Sequence, residues 1–198
     1  MNSIKKIAED FYKISGDSNV YLYTKPLPMV IDTSAPEAKA HIKEQIESII
    51  PLERIELLLL THLHYDHCGN AELFSNAKIY ASSEELEDFK KTPEYFFFGK
   101  VPKEINESIK KANPFPKKIQ DLEVLEVPGH TKGSIALLDK KRKLLFSGDT
   151  LFQNGIGRTD FPNSVPEKMD DSLQKLLNLY FSVIYRNMFQ IVTNVLSR

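Results

Sequence analysis

The stretch Thr61-His62-Leu63-His64-Tyr65-Asp66-His67 decides how this sequence is interpreted. It contains three of the five histidines of the chain, together with one carboxylate. It follows directly after the apolar run Ile55-Glu56-Leu57-Leu58-Leu59-Leu60, which is typical of a strand that is covered on both faces. Histidine is the commonest metal ligand, and burying several imidazoles costs free energy unless each ring nitrogen finds a partner. The stretch therefore predicts a metal site at the end of a buried strand.

Two later segments also place candidate ligands just after predicted strands. His130 lies in Pro128-Gly129-His130-Thr131, and Asp149 lies in Ser147-Gly148-Asp149-Thr150. Neutral imidazole and carboxylate groups suit Zn²⁺, Fe²⁺ or Mn²⁺ better than metals that prefer thiolates. We therefore predict a site for zinc, or alternatively for iron or manganese. Its candidate ligands are His62, His64, Asp66, His67, His130 and Asp149.

The composition restricts the class of protein and its partners. The chain has 198 residues, of which 41% are hydrophobic and 27% charged, and its net charge is −1, so it lacks the basic excess that nucleic-acid binding requires. No apolar run approaches the ~20 residues that span a bilayer, and the N-terminus is not typical of a signal peptide. The single cysteine, Cys68, excludes an internal disulfide. We expect a cytoplasmic protein that acts on a small molecule and binds neither nucleic acid nor membranes, with its oligomeric state left open.

The order of strand and helix patterns predicts two packed sheets with helices outside. Strands are expected at 19–23, 29–33, 54–60, 78–81, 122–127, 134–138, 144–146 and 181–185, and helices at 34–50, 70–75, 83–91 and 171–179. Residues 92–118 are expected to form an excursion over the site, a candidate lid. Its cluster Tyr95-Phe96-Phe97-Phe98 either lines a substrate pocket or packs the excursion onto the body of the protein.

These motifs together resemble the metallo-β-lactamase superfamily, whose signature is His-x-His-x-Asp-His. The sequence looks closest to the glyoxalase II-like hydrolases and the persulfide dioxygenases, and Gly155-Ile156-Gly157-Arg158-Thr159-Asp160-Phe161 is typical of that branch. The resemblance implies an α+β fold, a four-layer αββα sandwich over a single domain of residues 1–198, with the site at one edge of the sheets. It also implies that a first metal is held by His62, His64 and His130, a second by Asp66 and His67, and that Asp149 bridges the two.

The C-terminal segment departs from the pattern of that family. Its members carry one more ligand histidine after the last strand, whereas no histidine follows His130 in this sequence. We therefore expect a C-terminus that is shortened after residue 185, one tightly bound metal, and a second metal that is weak or absent. A frameshift at codon 186 is one hypothesis for this departure, and the genomic DNA at that codon would test it.

The resemblance implies a hydrolase of thioesters that uses a metal-bound hydroxide. In that mechanism Asp66 would orient the water and take its proton. Arg158 is a candidate anchor for a substrate carboxylate, because its guanidinium suits bidentate pairing, but an ion pair with Asp160 is the alternative. One alternative function is a mononuclear iron persulfide dioxygenase, with the metal held by His62, His130 and Asp149. The second alternative is a non-catalytic or impaired member, because the last ligand histidine is missing.

Overall fold

The computed structural model of this protein describes residues 4–179 and 190–192. In the described residues, short 3₁₀ turns at Pro36–Ala38, Leu52–Arg54, Ala71–Phe74 and Pro166–Lys168 accompany the longer elements. The strands are β1 (Ile4–Ala8), β2 (Phe11–Ile14), β3 (Val20–Tyr23), β4 (Met29–Ile31), β5 (Leu57–Leu59), β6 (Lys78–Ala81), β7 (Asn113–Pro114), β8 (Lys118–Ile119), β9 (Leu122–Glu126), β10 (Ile135–Asp139), β11 (Leu144–Phe146), β12 (Leu151–Phe152), β13 (Gly155–Ile156) and β14 (Gln190–Val192). The helices are α1 (Lys39–Glu47), α2 (Tyr65–Cys68), α3 (Ser83–Lys91), α4 (Pro93–Phe97), α5 (Lys103–Ile109) and α6 (Met169–Leu179).

The strands form two large sheets and one short hairpin. The first sheet has seven strands in the order β1-β2-β3-β4-β5-β6-β7, antiparallel up to β4 and parallel from β4 onward. The second sheet has five strands in the order β14-β11-β10-β9-β8. Strands β12 and β13 pair with each other. The long connections between the parallel strands carry α1 and α3, as parallel pairing requires.

Alternation along each strand divides its side chains between two cores. In β3, Tyr21 and Tyr23 face the second sheet, whereas Val20 and Leu22 face the helices. The inner core joins both sheets through rings such as Phe11 and Phe146, whose centroids are 5.8 Å apart. Since both faces of β3 are covered, every residue of this strand is buried. The alternation thus explains why the central strands are apolar throughout.

The two outer layers are helical. Helices α1, α3 and α5 cover the outer face of the first sheet with Ile42, Phe89 and Ile105, among others. Helix α6 covers the outer face of the second sheet with Leu176. The order helix, sheet, sheet, helix confirms the predicted αββα sandwich.

Several sequence predictions need adjustment at the level of single elements. The hairpin of β1 and β2 was not predicted, because its alternation of charged and apolar residues is weak. The predicted strand 54–60 is shorter, since Leu52–Arg54 forms a 3₁₀ turn first. The predicted strand 181–185 lies outside the described residues. Within the described part of the chain, no helix has the length and apolar character needed to cross a membrane.

Candidate metal centre

The candidate ligands converge at one edge of the sandwich because of the strand directions. The chain reaches His62 and His64 directly after β5, in the parallel half of the first sheet. Strands β9 and β11 both pair antiparallel with β10, so they run in the same direction and end at the same edge. His130 follows the first of these two strands and Asp149 the second. Residues far apart in the sequence are therefore brought to one place.

The ligand atoms form two sets of three that share one histidine. His62, His64 and His130 each offer an atom within 4.8 Å of the others, and so do His62, His67 and Asp149. All four histidines are buried. The rings of His62 and His64 lie 4.9 Å apart, as expected for side chains that alternate in an extended segment. The first set has the same members as the first metal site that the resemblance implies. The second set contains His67 and Asp149, which the resemblance places at the second metal.

Hydrogen bonds on the outer side of each imidazole leave a lone pair that faces inward. The Nδ1–H of His130 donates to the carbonyl oxygen of Arg158 over 2.7 Å, which leaves the Nε2 lone pair free. His64 Nε2 lies 3.3 Å from Oδ1 and 3.2 Å from Nδ2 of Asn163, and the other ring nitrogen, Nδ1, lies 2.9 Å from His130 Nε2. In the tautomer in which His64 Nε2 donates to the amide oxygen, the lone pairs of His64 Nδ1 and His130 Nε2 face each other, and they repel unless a cation lies between them. In that tautomer the first set is arranged as a cation site.

His62 gives the clearest test of whether a metal fits. The Thr61 hydroxyl donates to Asp32 over 2.8 Å, so it accepts from His62 Nδ1 over 3.2 Å. The opposite ring atom, His62 Nε2, is buried and has no hydrogen-bond partner within the described residues. An unsatisfied buried nitrogen is costly in a folded protein. A metal ion shared by the two ligand sets would satisfy it, so the residues present fit a divalent cation.

Burial sets the protonation of the first set. Burial first, and then the charge of His67, hold the pKa of His62 well below its usual range. Burial, followed by the neighbouring His130, lowers the pKa of His64 to about 3. Burial also lowers the pKa of His130, against the opposing effect of Asp149. The three rings are neutral at physiological pH, which is the form that binds metals.

The second set contains an ion pair between His67 and Asp149. Their atoms Nε2 and Oδ1 are 3.0 Å apart, and His67 Nδ1 donates to Asp32 Oδ2 over 2.9 Å. Burial lowers the pKa of His67, but the carboxylates of Asp149 and Asp32 outweigh it and raise the pKa well above its usual value. Burial raises the pKa of Asp149, but the charge of His67 outweighs it and keeps the pKa below its usual range. The two residues thus neutralise each other where a second cation would bind.

Asp66 lies beside the two sets and belongs to neither. Its Oδ2 is 3.9 Å from His67 Nε2, and its side chain lines the open cavity next to the ligands. Burial is the main cause that raises the pKa of Asp66. The predicted roles of Asp66, as a ligand of the second metal and as the catalytic residue, stay predictions.

Arg158 also lines the cavity, but its guanidinium is engaged. Its Nε and Nη2 donate to the two carboxylate oxygens of Asp160 over 2.9 and 2.8 Å. The guanidinium also lies 4.7 Å from the centroid of the Phe161 ring. The ion pair is the arrangement that the sequence offered as the alternative, and the predicted role in substrate binding stays a prediction.

Residues 92–118 fulfil both of the expectations for the aromatic cluster. Phe96 is fully buried against Phe89, with ring centroids 5.5 Å apart, so it packs the segment onto the body. Phe98 is exposed and lines a cavity of about 470 Å³ beside the ligands. After α5 the segment continues into β7, which closes one edge of the first sheet. This segment therefore contributes one wall of the cavity.

Two buried carboxylates that support the site were missed as functional residues. Asp32 accepts hydrogen bonds from the Thr61 backbone and hydroxyl as well as from His67, and it holds a left-handed backbone with φ 55°. Its position at the end of a strand in Ile31-Asp32-Thr33 was the available signal. Glu85 was interpreted only as part of a helix start, and the predicted cap is present, since Ser82 Oγ accepts from the Glu85 backbone.

The side chain of Glu85 connects the two loops that carry the first ligand set. Its Oε2 accepts from the backbone N–H of Leu63, between His62 and His64, over 2.8 Å. Its Oε1 accepts from the backbone N–H of Gly133, in the loop of His130, over 3.1 Å. Since Glu85 is buried, no water replaces either bond easily. The charged sequence of α3 is typical of a helix on the protein surface, so it does not indicate this role.

We expect Glu85→Ala to lower the free energy of unfolding by about 2–5 kcal/mol at pH 5, because it leaves two buried N–H groups without an acceptor. Burial raises the pKa of Glu85 to about 7, against the hydroxyl of Thr131 and these two N–H groups. Because the pKa of Glu85 is higher in the folded state than in the unfolded state, its carboxyl group stabilises the fold fully below the ordinary pKa of 4.5. This contribution is lost as the pH rises through 7. Between pH 5 and pH 8 the difference between wild type and variant should shrink by about 2–3 kcal/mol.

Urea unfolding in the presence of a chelator measures this difference without a contribution from metal binding. The matched control is Glu84→Ala, because Glu84 is an exposed neighbour on the same helix. The control should remain within about 0.5 kcal/mol of wild type at both pH values. Equal losses in the two variants would contradict the role assigned to Glu85.

Comparison with known proteins agrees with this geometry. The sequence profile of the metallo-beta-lactamase superfamily matches residues 15–185. The hydroxyacylglutathione hydrolase GloC of Haemophilus influenzae is 33% identical over 153 residues, which cover 66% of this chain and 66% of that protein. A hydroxyacylglutathione hydrolase of Thermosynechococcus vestitus is 41% identical over 123 residues, which cover 60% of this chain and 43% of that protein.

Solved structures show the same fold. The crystal structure of TTHA1623 in a di-iron-bound form superposes with a TM-score of 0.65 at 26% identity, and the match covers 90% of this chain and 87% of that one. The match to the Thermosynechococcus enzyme, by contrast, spans less than half of that enzyme's length. The profile match, the four-layer sandwich and the converging histidines together show that this chain belongs to the metallo-β-lactamase superfamily.

Proposed function

We propose that this protein is a metal-dependent hydrolase of thioesters. The observation that carries the proposal is the pair of ligand sets around His62, whose buried Nε2 has no partner in the described part of the chain, beside an open cavity. The names of its relatives favour thioesters, since two of them are called hydroxyacylglutathione hydrolases. A cavity of about 470 Å³ is in the usual range for a small-molecule substrate, about 300–1,000 Å³.

His62, His64 and His130 would hold the first metal, and His67, Asp149 and Asp66 would contribute to a second. Their nitrogen and oxygen atoms suit zinc, with iron or manganese as the alternatives. When bound, such a metal supplies Lewis acidity toward water and toward a carbonyl oxygen. The remaining steps fall to the side chains around it.

Asp66 has the position of a general base in this proposal. Its carboxylate lines the cavity and reaches within 3.9 Å of His67, so it can orient a water molecule and accept its proton. Asp32 holds His67 in a fixed tautomer by accepting from Nδ1, which keeps Nε2 directed toward Asp149.

The test combines metal analysis with two assays. Protein purified without added metal is analysed for zinc, iron and manganese, and is then assayed for thioester hydrolysis and for oxygen consumption on glutathione persulfide. Zinc with thioester cleavage is the expected result. Iron with oxygen consumption would instead select the dioxygenase. Binding of metal with neither activity would overturn both and select the non-catalytic alternative.

A further inference from the structure

We infer that the cavity holds an apolar acyl chain, so that the preferred substrates carry several methylene groups beyond the carbonyl rather than a short hydroxyacyl group. The inference rests on the proposed hydrolase function and names its substrate class. It comes from the wall of the cavity that faces the ligand sets. That wall is made by Phe98, Phe152, Ile156 and Phe161.

Two large apolar side chains stand exposed at this cavity. Phe98 is 56% exposed and Ile156 is 48% exposed, and they come from separate elements, the end of α4 and the hairpin strand β13. Both line the same cavity, together with Phe161. Exposed apolar groups that gather around one concave surface mark a binding site more often than isolated ones do. Both side chains therefore offer apolar surface to a chain that is bound in the cavity.

Phe98 has an unfavourable backbone conformation. It ends α4 in the left-handed region, with φ 49° and ψ 34°, which a bulky residue rarely adopts. Its ring contacts those of Tyr65 and Phe161, with centroids 5.8 and 5.2 Å away, and lies 5.9 Å from the ring of His64. The apolar wall thus begins next to the first ligand set. An acyl chain attached to a carbonyl at the metal centre would lie along it.

The cavity offers one cationic side chain to an anionic acyl group. Among its described lining residues, Arg158 is the one lysine or arginine. Because the guanidinium of Arg158 is already paired with both oxygens of Asp160, binding a substrate carboxylate there would require this pair to open. An uncharged chain avoids that cost and buries the exposed faces of Phe98 and Ile156.

The experiment varies the acyl chain at a constant, neutral thiol. Acetyl, butyryl, hexanoyl and octanoyl thioesters of N-acetylcysteamine are compared with a chain of hexanoyl length that ends in a carboxylate. We expect kcat/KM to rise roughly fourfold for each buried methylene up to the length that fills the cavity, and to fall when the carboxylate is added. Phe98→Ala should reduce the hexanoyl-to-acetyl ratio at least fivefold. Tyr95→Ala is the matched control, since Tyr95 is exposed on the same helix but does not line the cavity, and should leave the ratio unchanged.

Calorimetric binding of hexanoate and acetate to the zinc-loaded and metal-free protein provides a readout besides turnover. Hexanoate should bind at least tenfold more tightly in both forms, and Phe98→Ala should remove most of that difference. Hydrolysis that does not depend on acyl length, or equal binding of the two acids, would overturn the inference while the hydrolase function stands. Preferential binding of hexanoate without any thioester cleavage would overturn the proposed function and keep the apolar site.

Discussion

Replacement of His62 by alanine is expected to lower kcat/KM for thioester hydrolysis at least about a thousandfold, because a metal contributes several kcal/mol of transition-state stabilisation and each 1.36 kcal/mol is tenfold in rate. His62 has this effect because it belongs to both ligand sets. The variant removes the one histidine that the two candidate sets share, whereas replacement of His64 or His67 affects one set. Metal content by elemental analysis, measured on the same samples as the rate, connects the loss of activity to the loss of metal.

His41→Ala is the control for this experiment. His41 lies on α1, where its Nε2 is 3.2 Å from the carbonyl oxygen of Ser15, and it belongs to neither set. The control should keep both its metal and its activity. A His62→Ala protein that binds as much metal as the control would contradict the shared role of His62. Full activity in that variant would contradict the metal-dependent mechanism.

The second large effect is expected from a single methyl group at Gly157. A Cβ atom at this residue would lie 1.7 Å from the backbone oxygen of Asp149 and 3.1 Å from His130 Nδ1. The backbone must therefore move, and with it the neighbouring carbonyl of Arg158, to which His130 donates. We expect Gly157→Ala to lower stability by about 1–3 kcal/mol, the usual cost of overpacking. Metal affinity should fall about 10- to 100-fold, as when a hydrogen-bond partner of a ligand is lost.

Gly155→Ala is an unusually close control for Gly157→Ala. It introduces the same methyl group two residues earlier in the same hairpin, where a Cβ would have no atom within 4 Å. Urea unfolding and competition with a chelating dye measure stability and zinc affinity for the pair. Gly155→Ala should match wild type in both. If the two variants behave alike, the close approach of Gly157 to Asp149 does not support the site.

The local geometry of the candidate ligands could be predicted from the sequence. His62 and His64 project to the same side because side chains alternate along an extended chain, a property that needs no tertiary information. The central strands were recognisable from their continuous apolar character, and helix α3 from the cap at Ser82. The N-terminal hairpin was missed, because short strands with charged residues carry little signal.

The supporting residues could not be predicted in the same way. Glu85 lies in a charged helix, and nothing in its neighbourhood along the chain indicates that its carboxylate is buried against Leu63 and Gly133. The four phenylalanine and tyrosine side chains of residues 95–98 look equivalent in sequence. Only the left-handed turn at Phe98 separates the ring that lines the cavity from Phe96, which is fully buried. Such differences arise from long-range packing.

What the sequence determined by itself is the class of the fold and the choice of candidate ligands, because local periodicity and the His-x-His-x-Asp-His pattern depend on neighbours along the chain. What only the tertiary structure decided is which atoms face one another. The order of strands brings His130 and Asp149 to His62 and Asp32 to His67, and the packed chain places Phe98 and Ile156 at one cavity. The physical reason is that hydrogen bonds and apolar contacts act over a few ångströms, so chemistry between distant residues exists only once the two sheets have packed.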